Sequence, residues 1–292
     1  MKRTSLIGLL VFSLLLSACG GDDDKDKTTT TVQATTSTTT AASTTTSTTA
    51  APAFTPAAVS GLQVWYRGDA GVNASSGKVR IWEDQSGNGL HASRPTVSRQ
   101  PALVSDAING HPGIRFDGTD DALAVPFNLN GAENASLTIF AVWTSEPVPR
   151  DKLRKLYGHD NRDFDRAVGF DSRTRLNYGF FTGSGVQSYF SAPFNTPTLT
   201  TDMWRPRTFS GYVNGVVKVN NAAQTTGPGD ETMTLGGIRD NTEFPGDANQ
   251  ARALGWEPWQ GVIAEFLIYD RSLTDGERQQ VEQHLMAKYR IG

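Results

Sequence analysis

Residues 238–260 combine side-chain types that commonly bind sugars. Aromatic rings cover the apolar face of a sugar ring, while carboxylates and carboxamides bind its hydroxyl groups directionally. The segment reads as a long irregular loop, and function concentrates on loops held by a rigid scaffold. Covering a sheet edge or closing the core is the favoured alternative for the two tryptophans. The candidate ligand-binding residues are Asp240, Asn241, Phe244, Asp247, Trp256 and Trp259.

A second loop, residues 157–165, is rich in oxygen ligands of the kind that Ca²⁺ prefers. Arg162 and Arg166 compete as ion-pair partners, and the fixed spacing of an EF-hand is absent. A solvated loop is therefore favoured, and a calcium site is the alternative. Calcium is the one cofactor that the sequence suggests, with candidate ligands Asp160, Asn161, Asp163 and Asp165.

Two glycine-containing turns carry polar side chains that can bind backbone amides. Gly87 and Gly89 allow the left-handed conformations of a tight loop, and Asp84 and Ser86 can cap its amides. Residues 117–121 form a similar turn with three aspartates. We expect structural roles for both turns, with calcium binding as the alternative.

The elements that must position these loops are strands. Short runs rich in β-branched and aromatic residues, bounded by Gly, Asn, Asp or Ser, predict strands, and Asn214-Gly215 predicts a hairpin turn. One helix is indicated, because Thr274 and Glu277 form a capping box before an apolar stripe. The sequence predicts an all-β antiparallel two-sheet sandwich with one C-terminal helix. The predicted strands lie at 62–67, 78–82, 122–125, 136–143, 175–181, 186–190 and 261–270.

Several motifs resemble those of the bacterial LamG-like, concanavalin A-like lectin and glucanase domains. They are the segments 61–72 (GLQVWYRGDAGV), 82–92 (WEDQSGNGLHA), 109–121 (NGHPGIRFDGTDD) and 261–271 (GVIAEFLIYDR), followed by the capped helix. The resemblance implies a jelly-roll sandwich over residues 60–292. It also implies a secreted or surface module, since members often bind glycans or proteins.

The same superfamily includes glycosidases, so catalytic residues were sought. Retaining glycosidases need two carboxylates about 5.5 Å apart, and the E-x-D-x-E pattern of the sandwich enzymes is absent. Glu265 and Asp270 are five positions apart, so strand alternation predicts opposite faces for them. The histidines are scattered, and neither G-x-S-x-G nor H-E-x-x-H occurs. We therefore predict that the chain is not an enzyme and that Glu265 is held by hydrogen bonds.

The first residues have the pattern of a targeting signal. Lys2 and Arg3 precede an apolar run, 6–16, which is too short to span a membrane. The run ends in Leu-Ser-Ala-Cys, residues 16–19, which resembles the lipobox of bacterial lipoproteins. The resemblance implies cleavage before Cys19 and lipidation of its thiol. Several acyl chains give a stable anchor that one chain does not.

Composition divides the chain into three parts. Residues 1–18 are the predicted signal peptide, 19–59 a lipidated, Thr/Ser/Ala-rich disordered stalk, and 60–292 the folded domain. A net charge of −3 argues against nucleic acid as a partner, and the single cysteine excludes a disulfide framework.

We therefore expect an exported protein, lipid-anchored to the bacterial cell envelope, at the outer membrane if one exists and otherwise on the outer face of the cell membrane. Its expected function is to bind carbohydrate or another cell-envelope polymer. The alternative is a protein-interaction or structural module of the envelope without sugar affinity; a glycan-active enzyme is the least favoured.

Overall fold

A computed structural model describes residues 54–129, 131, 134–158, 166–171, 177–182, 185–225, 233–238 and 256–292, with only the backbone for 185–188. Cys19, the 157–165 loop beyond Gly158, and most of the 238–260 segment lie outside this part of the chain. No helix within it has the length and apolar character needed to cross a membrane.

Nineteen strands and three helical segments fall within the described ranges. The strands are β1 (Leu62–Arg67), β2 (Val72–Ser75), β3 (Lys78–Trp82), β4 (Ala92–Ser93), β5 (Ala102–Ile108), β6 (His111–Asp117), β7 (Leu123–Val125), β8 (Leu137–Ser145), β9 (Leu153–Gly158), β10 (Ala167–Asp171), β11 (Asn177–Thr182), β12 (Gly185–Phe190), β13 (Thr198–Trp204), β14 (Thr208–Val213), β15 (Val216–Ala223), β16 (Met233–Leu235), β17 (Gly237–Ile238), β18 (Glu257–Pro258) and β19 (Gln260–Tyr269). The helices are two 3-10 turns, Pro56–Ala58 and Val97–Arg99, and α1 (Asp275–Tyr289).

Antiparallel pairing arranges the strands in two layers. In the first layer the order is β15, β14, β13, β8 and β19, and the free edge of β19 pairs with β6 in its first half and with β1 in its second half. β5 continues this layer beyond β6. In the second layer the order is β2, β3, β4, β7, β16, β9, β10, β11 and β12. A small ribbon of β17 and β18 lies apart.

The main hydrophobic core lies between the two layers. Phe266 of the first layer and Leu156 and Phe180 of the second are fully buried. Aromatic rings meet across the interface, as for Tyr157 and Phe266, whose centroids are 5.0 Å apart. This architecture confirms the predicted all-β sandwich with a C-terminal helix.

Helix α1 covers the outer face of the first layer. Val281, Leu285 and Tyr289 form the predicted apolar stripe and are fully buried in a second cluster with strand residues. The predicted capping box is present, since the Glu277 amide donates to Thr274 Oγ1 at 3.3 Å and the Thr274 amide donates to Glu277 Oε2 at 2.9 Å.

The folded chain begins before the predicted boundary at residue 60. Val59 is only 6% exposed and joins the cluster beneath α1. Tyr269 donates to the Pro56 carbonyl at 3.0 Å, and the Phe54 ring lies 5.7 Å from that of His284. These few apolar residues at the end of the predicted stalk are covered by the helix and the last strand, which composition alone does not reveal. The compact unit is bounded by Pro52 and Gly292.

Candidate functional site

Two of the predicted ligand-binding residues can be placed, and both are buried. Trp259 is 1% exposed and packs in the main core, with its ring edge-to-face against Trp143 at 5.3 Å. Trp256 is 8% exposed; its ring lies against Gly237, and its indole nitrogen donates to the Thr119 carbonyl at 2.7 Å. The two rings therefore pack and hold a turn, and neither presents an open face to a ligand.

The remaining predicted site residues lie outside the described residues. They are the lipidation site Cys19, the ligand-binding candidates Asp240, Asn241, Phe244 and Asp247, and the calcium candidates Asp160, Asn161, Asp163 and Asp165.

The 117–121 turn brings three carboxylates together. Oxygens of Asp117, Asp120 and Asp121 lie within 4.8 Å of one another. Asp121 Oδ2 accepts the amide of Asp117, as the sequence led us to expect. Asp117 Oδ1, rather than Asp120, accepts the other amide, that of Thr119. Burial, with Asp117 nearby, raises the pKa of Asp121 to about 7. The donor set suits a hard cation, but the amide contacts already give these side chains a structural role.

Glu265 is an internal connector between strand and helix. It is fully buried, and its Oε1 accepts the Trp65 indole proton at 2.7 Å. Its Oε2 accepts from Lys288 Nζ at 2.7 Å and from the Tyr289 hydroxyl at 2.9 Å. The expected hydrogen bonds are thus present, and they use both carboxylate oxygens. Asp270 lies beyond the end of β19, on the surface.

A groove lined by both apolar and polar side chains opens at the end of the sandwich where β1 begins and β19 ends. Its volume is about 400 Å³, within the usual range of small-molecule sites. Apolar side chains contribute to its wall together with three carboxamides and one carboxylate. The lining residues are Gln63, Leu90, Pro126, Phe127, Asn128, Asn134 and Asp270.

One wall of the groove is the 84–90 turn, which is held by side-chain hydrogen bonds. Asp84 Oδ1 accepts the amides of Trp65 and Ser86, both at 2.9 Å, and its Oδ2 accepts the amide of Leu90 at 3.2 Å. Asn88 Nδ2 donates to the carbonyl of Gln63 at 3.0 Å. These contacts bind the turn to β1, so Leu90 is presented on a fixed backbone.

The opposite wall, residues 126–134, is held by a buried arginine. Arg166 is 2% exposed, and its guanidinium donates to the carbonyls of Leu129 and Asn134. Asn134 in turn donates from Nδ2 to the Asn128 carbonyl at 2.6 Å. Both walls are therefore organised before any ligand arrives, which reduces the entropic cost of binding.

A second surface hollow, of about 350 Å³, lies between residues 68–72 and β5. Its lining contains neither an aromatic ring nor a carboxamide. Its one carboxylate, Asp69, pairs with Arg67 at 2.9 Å and with Lys288 at 3.1 Å. The groove beside Gln63 is the better ligand site, because it offers polar groups of both hydrogen-bonding types beside an apolar surface.

Sequence reasoning missed the groove residues. Gln63 Nε2 donates to Asp270 Oδ2 at 2.8 Å although the two are separated by 207 positions. The motif segments did include both residues, but nothing in either motif indicates that they share a surface. Only the pairing of the first strand with the last one places them together.

No protein-family model and no curated protein matches the chain. Solved structures do match. Trypanosoma rangeli sialidase in complex with 2,3-difluoro-KDN has a TM-score of 0.52 and 16% identity, over 79% of this chain and 33% of the sialidase. The binding domain of Paraclostridial Mosquitocidal Protein 1 has a TM-score of 0.51 and 14% identity, over 77% and 52% of the two chains. Domain 4 of AbnA, a GH43 extracellular arabinanase from Geobacillus stearothermophilus, in complex with arabinotriose, has a TM-score of 0.48 and 14% identity, over 76% of this chain and 98% of that domain.

The likeness to sialidases corrects one prediction. We predicted from missing motifs that the chain is not an enzyme, and this exclusion is wrong, because its sandwich fold recurs in chains that are enzymes. Catalytic motifs of other families do not test for an active site assembled from distant segments. The chain spans about a third of the sialidase length, and at this identity the likeness concerns the fold.

Proposed function

We propose that the folded unit binds carbohydrate at the groove beside Gln63. The observation that carries the proposal is the groove itself: a preorganised surface in which the half-buried Leu90 lies next to carboxamides and a carboxylate, while Phe127, 8% exposed, belongs mainly to the core. Sugars offer apolar C–H faces and hydroxyl groups that both donate and accept, so this combination is complementary to them. The sandwich shared with a sialidase that binds sialic acid supports a glycan-related role.

The test is a glycan array probed with the full chain in detergent, with and without calcium. We expect saturable binding to at least one class of saccharide, and heat-unfolded protein serves as the control. Absence of binding at high protein density, in both calcium conditions, would contradict the proposal. Release of reducing sugar is followed on the same saccharides, because the fold is shared with sialidases.

We further propose that the module is displayed at the cell envelope. The support is the n-region, apolar run and lipobox-like sequence at residues 1–19, followed by the low-complexity segment up to the folded unit. In this proposal the chain is a lipoprotein, and its stalk holds a LamG-like binding module away from the membrane.

A protein-interaction role without sugar affinity is the second candidate. Within the described strands, β15 pairs with β14 alone, and its first residues Val216 and Val217 are 57% and 49% exposed. An open edge strand with apolar side chains can accept another protein strand. A negative array together with a specific envelope-protein partner lost in Val216→Lys would favour this candidate.

A further inference from the structure

The charge of the groove restricts which saccharides it can accept, and this inference rests on the proposed function. Among the described residues of its lining, the one charged side chain is the carboxylate of Asp270. The neighbouring Arg271 is directed elsewhere: it donates to both carboxylate oxygens of Glu277, at 3.0 and 2.6 Å, and from Nε to the Ser60 carbonyl at 3.1 Å. Within the part of the lining that the structure describes, no cation is therefore placed to bind an anionic ligand.

The Asp270 carboxylate is held in one position. Its Oδ2 accepts from Gln63 Nε2 at 2.8 Å, and its backbone amide donates to the Gly61 carbonyl at 2.9 Å. A side chain at Gly61 would place its Cβ 2.6 Å from Asp270 Oδ1, and Gly61 has a φ of +87°. Glycine at this position is thus what leaves room for the carboxylate.

The pair of Gln63 and Asp270 presents hydrogen-bond acceptors to the groove. An ionised carboxylate has about four lone-pair sites, and one of those on Asp270 is taken by Gln63. Because the Gln63 amide nitrogen faces Asp270, its carbonyl oxygen is directed away from that carboxylate. Acceptors held in this way match the hydroxyl donors of a sugar.

We propose that the groove selects neutral, hydroxyl-rich saccharides over saccharides that carry a carboxylate or sulfate, with Asp270 as the determinant and Gln63 as its positioning residue. Hydroxyl groups of a neutral sugar donate to the Asp270 carboxylate. An acidic sugar brings a second negative charge beside it, and the one neighbouring guanidinium, that of Arg271, is already paired with Glu277, so like charges at close range repel.

The test compares matched saccharides on the full chain: lactose with sialyllactose, and xylotriose with its glucuronic acid-substituted form. We expect the neutral member of a bound pair to have a dissociation constant lower by about tenfold. In Asp270→Asn this ratio should fall to about 1–2, because the repelling charge is gone. Gln63→Ala should weaken neutral binding by about fivefold, since the carboxylate loses the partner that orients it.

Glu83→Gln, which changes an exposed carboxylate outside the groove, is the matched control and should keep the wild-type ratio. Equal melting temperatures establish that the variants fold. Equal or tighter binding of the acidic member, or a ratio that Asp270→Asn leaves unchanged, would overturn the inference while the proposed function stands. If the array and the paired probes show no saccharide binding at all, both fail.

Discussion

Asp202 is a carboxylate inside the main core, where it meets the Tyr157 hydroxyl of the opposite layer. It is 1% exposed, it accepts a hydrogen bond from that hydroxyl at Oδ2, and its Oδ1 is buried without a partner. Burial raises the pKa of Asp202 to about 8, against the lowering effect of the Tyr157 hydrogen bond. A buried carboxylate with one unpartnered oxygen is costly when ionised, so Asp202 of the folded chain retains its proton up to about pH 8.

The sign of the pH dependence follows from that raised pKa. The ordinary value is 3.8, so the contribution of Asp202 to stability is complete below about pH 4 and is lost as the pH rises towards 8. A single proton changes the free energy of unfolding by up to about 1.4 kcal/mol per pH unit in this window. We therefore expect the free energy of unfolding of Asp202→Asn, relative to that of wild type, to increase as the pH rises from 5 to 9.

Urea unfolding of both chains at pH 5, 7 and 9 measures this gain, with the surface substitution Asp106→Asn as the control. A stability difference that stays constant with pH would contradict a raised pKa at Asp202.

At the scale of elements, Glu265 connects β19 with β1 and α1. Its carboxylate accepts hydrogen bonds from Trp65 of β1 and from Lys288 and Tyr289 of the helix. Lys288 also pairs with Asp69 at 3.1 Å, which extends the network to the segment after β1. Removing one member of such a buried network leaves charges and donors without partners.

We therefore expect Glu265→Gln to lower the free energy of unfolding by about 3 kcal/mol, as for other broken buried ion pairs. Replacing Lys288 by Met in the same chain should recover part of this loss, because the lysine would otherwise lie beside an uncharged side chain at position 265, with Asp69 as its one remaining counter-charge among the described residues. Chemical denaturation of wild type, the two single variants and the double variant measures the coupling. A Glu265→Gln chain as stable as wild type would show that the network carries little of the helix docking energy.

At the scale of the whole molecule, the fold was predictable and the groove was not. Local patterns predicted β1, β3, β7, β8, β11, β12 and β19, the hairpin of β14 and β15 at Asn214-Gly215, and the capped helix, since each depends on neighbouring residues. The remaining strands were not predicted. The strand β13 was missed, because Asp202 and its threonines are polar in sequence although all seven residues are buried. The groove is formed by four segments that are distant in sequence and are brought together by non-local strand pairing. No local sequence pattern indicates that these segments are neighbours in the fold.

The predicted anchoring also belongs to the whole molecule. We expect Cys19→Ser to abolish incorporation of labelled fatty acid and to yield precursor or released protein, because only a thiol forms the thioether. Ser13→Ala, in the same leader, should leave both labelling and membrane fractionation unchanged. A Cys19→Ser chain that is still acylated and membrane-bound would contradict the lipoprotein assignment.

The pairing of the first strand with the last has a mechanical consequence. Gln63 lies at the start of β1, and Asp270 lies just past the end of β19. Beside them, the Pro56 carbonyl accepts a hydrogen bond from Tyr269. In a chain anchored at Cys19 as proposed, tension from a ligand in the groove therefore reaches the tether through these two strands. The part of that tension borne by Gln63 and Asp270 therefore reaches the tether without passing through the central strands of the sandwich.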